Sequence, residues 1–284
     1  MPPNPETPTL TQCHLLDTGY CTASEHHLIQ GGRRRRVVVH SVAALLQHPQ
    51  HGWLLWDAGY APRLLDATRR LPFRLYRWVT PMHVRPELAV VAQLGRYGLK
   101  PADVRRIVVS HFHADHVAGL RDFPTAELIA LRSAYENVAG RTGLRALAVA
   151  FVPALMPPDF ERRAMLLPPF GGPPLGGLGA THDLFGDGTA LLVELPGHAR
   201  GQMGLLAQTP RGRVLFAADS VWLSASYRER RPPHRMTHLF IDDPAAMHGT
   251  IDRLHDFAGA NPDVTVIPSH CPEAFARHVG ERPA

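Results

Sequence analysis

Three imidazoles and a carboxylate fall within six residues of this chain, at His111, His113, Asp115 and His116. Such groups share a small volume cheaply only when a cation holds them. Zinc accepts neutral imidazole nitrogen and carboxylate oxygen, and water on two such ions becomes a hydroxide nucleophile near neutral pH. The chain holds 18 histidines, so a surface histidine patch is the competing reading for any one of them. The setting of this cluster favours a site. Arg106-Ile107-Val108-Val109-Ser110 is an apolar, β-branched run that reads as a buried strand, and the cluster begins where it ends. His111 and His113, two apart on locally extended backbone, can point the same way. Asp115 and His116 follow and can open the helix suggested by Val117 to Leu120.

Further ligands must come from elsewhere, and three later segments offer them. Leu191 to Leu195 reads as a strand followed by Pro196-Gly197-His198, where glycine permits a tight turn. Val214 to Ala218 is a second apolar strand, ending at Asp219. Val264 to Ile267 is a third, ending at Pro268-Ser269-His270. Each candidate sits just past a strand end, so one edge of a sheet-based fold would collect them all.

The ordered set HxHxDH, then His in a Pro-Gly-His turn, then Asp, then His, resembles the metallo-β-lactamase superfamily of dinuclear metallohydrolases. The resemblance runs from the strand ending at Asp57 to the His270 loop. It implies that His111, His113 and His198 hold one metal, that Asp115, His116 and His270 hold the second, and that Asp219 bridges them. Two ions about 3.5 to 4 Å apart need such a shared anionic ligand to offset their repulsion. The nitrogen and oxygen donor set suits two Zn2+, with iron, manganese or cobalt as alternatives. Flavodiiron relatives carry Glu where His113 stands, which disfavours a redox role. Asp57-Ala58-Gly59 resembles the superfamily's Asp-Thr-Gly turn, making Asp57 a candidate for orienting a ligand imidazole; capping the turn is the alternative.

Within the superfamily the chain looks most like the N-acyl homoserine lactonase branch, through Ser110 to Leu120 and Pro196 to Leu206. That branch carries a Tyr three residues after the bridging Asp, and here Trp222 stands there. An indole N–H donates a hydrogen bond but is no phenol acid; Tyr227 could reach in from the same loop. The expected activity is a metal-bridging hydroxide attacking a lactone or ester carbonyl, with Asp115 orienting it and shuttling its proton. Phosphodiester or phosphotriester hydrolysis is the alternative, favoured if Arg228, Arg230, Arg231 and Arg235 face the metals. Hydrolysis of β-lactams and a non-catalytic metal-binding module are weaker readings.

The elements that must position these groups follow an α+β pattern, and the resemblance implies a four-layer αββα sandwich. Strands are expected at Leu10 to Leu16, Val37 to Leu46 and Trp53 to Trp56. Helices are expected at Pro86 to Tyr97, Ser133 to Ala139, Pro244 to Ala258 and Pro272 to Val279. Because all ligands must converge, one domain over residues 1–284 is expected, with a Pro/Gly-rich insertion around 141–180 acting as an apolar lid or as a dimer arm. Tyr60 to His83, with Phe73, Tyr76, Trp78 and Met82, is expected to form the opposite pocket wall. Both segments are apolar and poor in acids, which points to a small, partly hydrophobic, neutral or anionic substrate.

No apolar run approaches a membrane span, and Met1 to Glu6 lacks a signal pattern, so a cytoplasmic location with no membrane partner is expected. Cys13, Cys21 and Cys271 are scattered and read as free thiols. The net charge of +5 comes from 30 basic residues of which only Lys100 is lysine. Arg33 to Arg36 reads as a solvated turn before a strand, and nucleic acid is not an expected partner.

Overall fold

Strands buried on both faces show continuous apolar runs, and strands between two unlike layers alternate. Both patterns occur here. In the computed structural model, which describes residues 8–279, seven strands form one sheet and five form another. The first comprises β1 Gln12–Ser24, β2 Arg36–His48, β3 Gly52–Trp56, β4 Met82–His83, β5 Val104–Val108, β6 Glu127–Leu131 and β7 Ala164–Leu167, in the order β4-β1-β2-β3-β5-β6-β7. The second comprises β8 Thr181–Asp183, β9 Ala190–Glu194, β10 Met203–Thr209, β11 Gly212–Ala218 and β12 Val264–Pro268, in the order β12-β11-β10-β9-β8.

Leu54, Leu55 and Trp56 in β3, and Leu128 to Leu131 in β6, are buried without a break, because helices cover one face of the larger sheet and the second sheet covers the other. In the smaller sheet Leu192, Leu205 and Phe216 join the core between the sheets, while their neighbours Val193, Leu206 and Leu215 face outward. Trp56 and Phe216 meet across the sheets with ring centroids 6.3 Å apart. The outward face is covered by helix Pro244–Ala260, whose Met247, Ile251, Leu254 and Phe257 make one apolar stripe. The layers are therefore helix, sheet, sheet, helix, the αββα sandwich.

Strand direction collects the loops. β3 and β5 are parallel, so both end at one edge of the larger sheet. β9 and β11 are each antiparallel to β10, and β12 is parallel to β11, so β9, β11 and β12 also end together. The two edges are tied by Met203 N donating to Ser110 O at 3.1 Å.

Three expectations change. The first strand continues past Leu16 to Ser24, because a bulge between Asp17 and Tyr20, with Gly19 at φ 128°, absorbs the Thr18-Gly19 punctuation without ending the pairing. The single helix expected over Pro86 to Tyr97 is three short pieces, Pro86–Leu88, Val90–Gln93 and Leu94–Tyr97. Ala89 is extended there, and the buried Gln93 amide donates to Asp17 O and Leu88 O at 2.8 and 2.7 Å, bonds that fix the break. The 141–180 segment is not one irregular insertion: it contains helices Gly143–Leu147 and Phe160–Arg163, and β7 pairs with β6 as the edge of the larger sheet. Its prolines obscured a strand whose side chains include Met165 and Leu167. The Met1 to Glu6 reading lies outside the described residues.

The turn that carries His198 is clamped to the helix beside it. Asp243 N donates to Gly197 O at 2.8 Å, Thr250 Oγ1 donates to Pro196 O at 2.6 Å, and the Asp243 carboxylate caps the helix by accepting from Ala246 N at 2.9 Å. Gly197 has φ 132°, and a Cβ there would lie 2.3 Å from the Met247 backbone. Gly197→Val is therefore expected to destabilise the protein by about 2 kcal/mol or more. Chemical denaturation checks this, and an unchanged midpoint would show that the turn can retreat from the helix.

Candidate metal centre

The loop after β5 extends through His113, whose extended backbone (φ −67°, ψ 152°) sits at the start of helix Ala114–Val117. It presents His111, His113, Asp115 and His116 to the loops after β9, β11 and β12, which bring His198, Asp219 and His270. Three groups have ligand atoms within 4.8 Å of one another: His111, His113 and His198; Asp115, His116 and His270; and His111, His116 and Asp219. The Asp219 carboxylate lies between the first two. Its Oδ2 is 3.4 Å from His198 Nε2 and 2.8 Å from His270 Nε2, while its Oδ1 is 3.2 Å from His116 Nε2.

These residues fit a metal pair. His111 Nε2 is buried without a hydrogen-bond partner, and His116 Nε2 and Asp219 Oδ1, despite their proximity, lack hydrogen-bond geometry. His113 Nδ1 and His198 Nε2 are 2.9 Å apart and aimed at one place, so one of them must carry a proton that a cation would displace. Burial pushes His111 well below the ordinary imidazole range, His113 down to about 3 and His198 to about 4, which keeps their lone pairs free. His116 and His270 move upward: burial opposes their charge, but the Asp219 carboxylate and its neighbours outweigh it. Asp115 and Asp219 are likewise opposed by burial yet held low, Asp115 at about 2 chiefly by His116 and Asp219 chiefly by His270. The two carboxylates thus draw positive charge to this spot, as a cation site requires.

A second layer of contacts aims the rings. Asp57 Oδ2 accepts from His116 Nδ1 and from Ser110 Oγ, both at 2.8 Å, while its Oδ1 accepts from Ser110 N at 2.8 Å. Ser110 Oγ is also 3.0 Å from His111 Nδ1. His270 Nδ1 donates to His40 O, and Ser41 Oγ donates to Asp115 O at 3.0 Å. Ser110 and the β2 residues were not singled out from the sequence. Ser110 had a signal, a hydroxyl directly before the first ligand; the His40 carbonyl had none, because backbone groups carry no residue-type signature.

The centre forms the floor of a cavity of ≈ 520 Å³, with Cys21, Tyr76, Leu144, Leu147 and Trp222 among its lining. With this geometry in place, a family model described as Metallo-beta-lactamase superfamily matches residues 36–270. The chain belongs to the metallo-β-lactamase superfamily. It is 28% identical over 193 residues to the N-acyl homoserine lactonase AttM of Rhizobium radiobacter, a match covering 66% of this chain and 65% of that protein. It therefore spans just under two-thirds of that relative's length. To the N-acyl homoserine lactonase AiiB of Agrobacterium fabrum it is 25% identical over 273 residues, 92% of this chain and 94% of that one. A solved N-acyl homoserine lactone hydrolase, with N-hexanoyl-L-homoserine bound at its catalytic metal center, shares the fold with a TM-score of 0.73 at 18% identity, over 95% of this chain and 97% of that one.

In this metallo-β-lactamase fold the remaining predicted residues separate. Trp222 lines the cavity and stands edge-on to His198, ring centroids 5.6 Å apart. Tyr227 does not line it: its side chain is buried in the core beneath helix Pro244–Ala260, one helical turn beyond the loop. The phenol beside the centre is Tyr76 instead. Burial, with the Asp115 charge next to it, pushes Tyr76 well above the ordinary tyrosine range, so it stays a neutral donor. Arg228 is paired with Glu273, Arg230 with Asp252 and Asp256, and Arg231 with Glu229; neither these nor Arg235 line the cavity. Cys271 Sγ lies 3.2 Å from Ser224 N and Oγ and is a packed thiol. Asp57→Asn is expected to weaken metal binding about 10- to 100-fold. Competition against a chromophoric chelator measures this, and unchanged affinity would leave Asp57 with the turn-capping role alone.

Proposed function

We propose that the protein is a dinuclear zinc-dependent hydrolase of lactones or esters whose acyl portion is apolar. The observation that carries this reading is the position of Asp219, within reach of ligands from both metal groups, at the floor of a cavity walled by apolar side chains. Similarity to the AttM and AiiB lactonases supports a lactone as substrate. Imidazole and carboxylate donors suit zinc, and they also accept iron, manganese or cobalt.

His111, His113 and His198 would hold one ion and Asp115, His116 and His270 the other, with Asp219 shared. When bound, the pair supplies an activated water and a Lewis acid for the carbonyl oxygen. The chain does the rest. Leu75 and Leu147, partly buried in the cavity wall, hold the apolar part of the substrate. The Trp222 indole N–H donates to the substrate's carbonyl end, and the Asp115 carboxylate takes the proton of the attacking water and returns it to the departing alkoxide oxygen. Tyr76, fixed as a neutral donor beside Asp115, orients that carboxylate. A phosphoester reading loses its support in the arginine loop, since Arg228, Arg230 and Arg231 are engaged by carboxylates away from the cavity.

Zinc-loaded protein should open acyl lactones faster than it cleaves aryl esters, phosphotriesters or β-lactams in a parallel screen. Asp219→Ala should lose both bound metal and turnover, whereas Trp222→Phe should retain metal and lose about tenfold in turnover, the worth of one hydrogen bond. Full activity in a metal-free Asp219→Ala preparation would overturn the mechanism, and a preference for phosphotriesters would overturn the substrate class.

A further inference from the structure

Large apolar side chains seldom gather on a free surface without a partner. Here they gather around one opening. Val79 from helix Arg74–Val79, Leu144 from helix Gly143–Leu147, and Leu239 and Phe240 from the turn Arg235–Phe240 all line the mouth of the metal cavity. Val79, Leu144 and Leu239 are 59%, 66% and 81% exposed. Trp78, next to Val79 in the chain, and Leu71, just before the same helix, are 63% and 67% exposed, although they do not line the cavity. These six account for most of the large apolar side chains exposed among the described residues.

The same segment is strongly basic. Arg69, Arg70, Arg74 and Arg77 are exposed and, with Thr68 and Trp78, surround a second hollow of ≈ 550 Å³. None of the four arginines makes an ion pair among the described residues; Arg74 lies instead over the Trp78 ring, 5.5 Å from its centroid. This contrasts with the arginines of the 228–231 loop, which carboxylates neutralise. Unneutralised guanidiniums next to exposed Trp, Leu and Val are complementary to a surface that is anionic outside and apolar just beneath. A second copy of the chain is the competing occupant for the apolar side chains, but it offers no array of anionic groups to match four unpaired guanidiniums, as a phosphate-bearing surface does. No helix among the described residues is long and apolar enough to cross a membrane, so attachment would be peripheral.

We propose that the cavity mouth is a docking surface for an anionic lipid bilayer, with Leu71, Trp78, Val79, Leu144 and Leu239 entering the interface and Arg69, Arg70, Arg74 and Arg77 meeting lipid phosphates. The docked cavity opens toward the acyl layer, where amphiphilic substrates concentrate. The surface does not depend on the reaction proposed above, and binding can be read without turnover.

Flotation of the full chain with vesicles tests it. Binding to phosphatidylcholine vesicles carrying roughly 30 mole per cent phosphatidylglycerol should exceed binding to pure phosphatidylcholine by about tenfold or more, and should weaken as salt rises. Arg70→Glu with Arg77→Glu, and separately Leu71→Ser with Trp78→Ser, should each cut anionic-vesicle binding by about tenfold while hydrolysis of a freely soluble substrate is unchanged. Brominated acyl chains should quench tryptophan fluorescence in the parent protein, and Trp78→Phe should remove most of that quenching. Equal recovery with neutral and anionic vesicles would overturn the proposal. So would a dimer in sedimentation that Leu71→Ser with Trp78→Ser dissociates, or arginine-dependent binding without bromolipid quenching, which would mark a soluble polyanion as the partner.

Discussion

Two carboxylates and five imidazoles occupy one buried volume, and the rest of the fold is arranged around that crowding. Asp115 and Asp219 repel each other and lose hydration there, so each stays ionised only because positive charge is held close. His116 and His270, facing Asp219, are drawn to carry that charge as protons, while His111, His113 and His198 are driven neutral by burial. This unequal division is the state in which two cations can displace protons from one group and find open lone pairs in the other.

Holding such a cluster requires backbone that ordinary strands do not provide. Asp57 and Ala218, at the ends of β3 and β11, are among the few non-glycine residues with positive φ, 58° and 47°. Each strained turn is secured by neighbouring chain. Asp57 N donates to Val108 O and Ala58 N to His116 O, both at 2.9 Å, while Ser269 N donates to Ala218 O at 3.1 Å. The strain thus lies where the chain must leave the sheet and aim a ligand, and bonds from adjacent ligand loops oppose its relaxation. Gly119 does related work: its lack of a side chain lets the ligand helix approach Ala58 O, which a Cβ would meet at 2.3 Å.

The convergence of the candidate ligands was legible because metal chemistry demands particular residue types, and because strands buried on both faces advertise themselves as apolar runs such as Ile107 to Val109. Direction and register were less so. That β9, β11 and β12 end together follows from pairings spread over the second half of the chain, which no local pattern records. β7 escaped notice because it lies among prolines, and the broken helix after Pro86 depends on Gln93 reaching Asp17, a contact far away in sequence. Tyr227 and Tyr76 show the same limit at the site. Proximity along the chain favoured the tyrosine nearer Asp219, whereas the fold turns that one into the core and brings the other in from helix Arg74–Val79.

That exchange alters what the cavity can offer. An indole has one N–H to donate and no acceptor, which makes Trp222 a donor only, and burial with the Asp115 charge nearby pushes Tyr76 well above the ordinary tyrosine range. Both aromatic groups near the centre are therefore donors that keep their protons, while the hydrophobic wall adds no charge of its own. Negative charge is confined to the floor, where Asp115 and Asp219 lie against the imidazoles. Leu144 and Leu147 belong to the apolar wall above that floor. The contrast between wall and floor is thus built into the fold, with apolar side chains supplied by the helices around the cavity and ionisable ones by the strand-end loops beneath it.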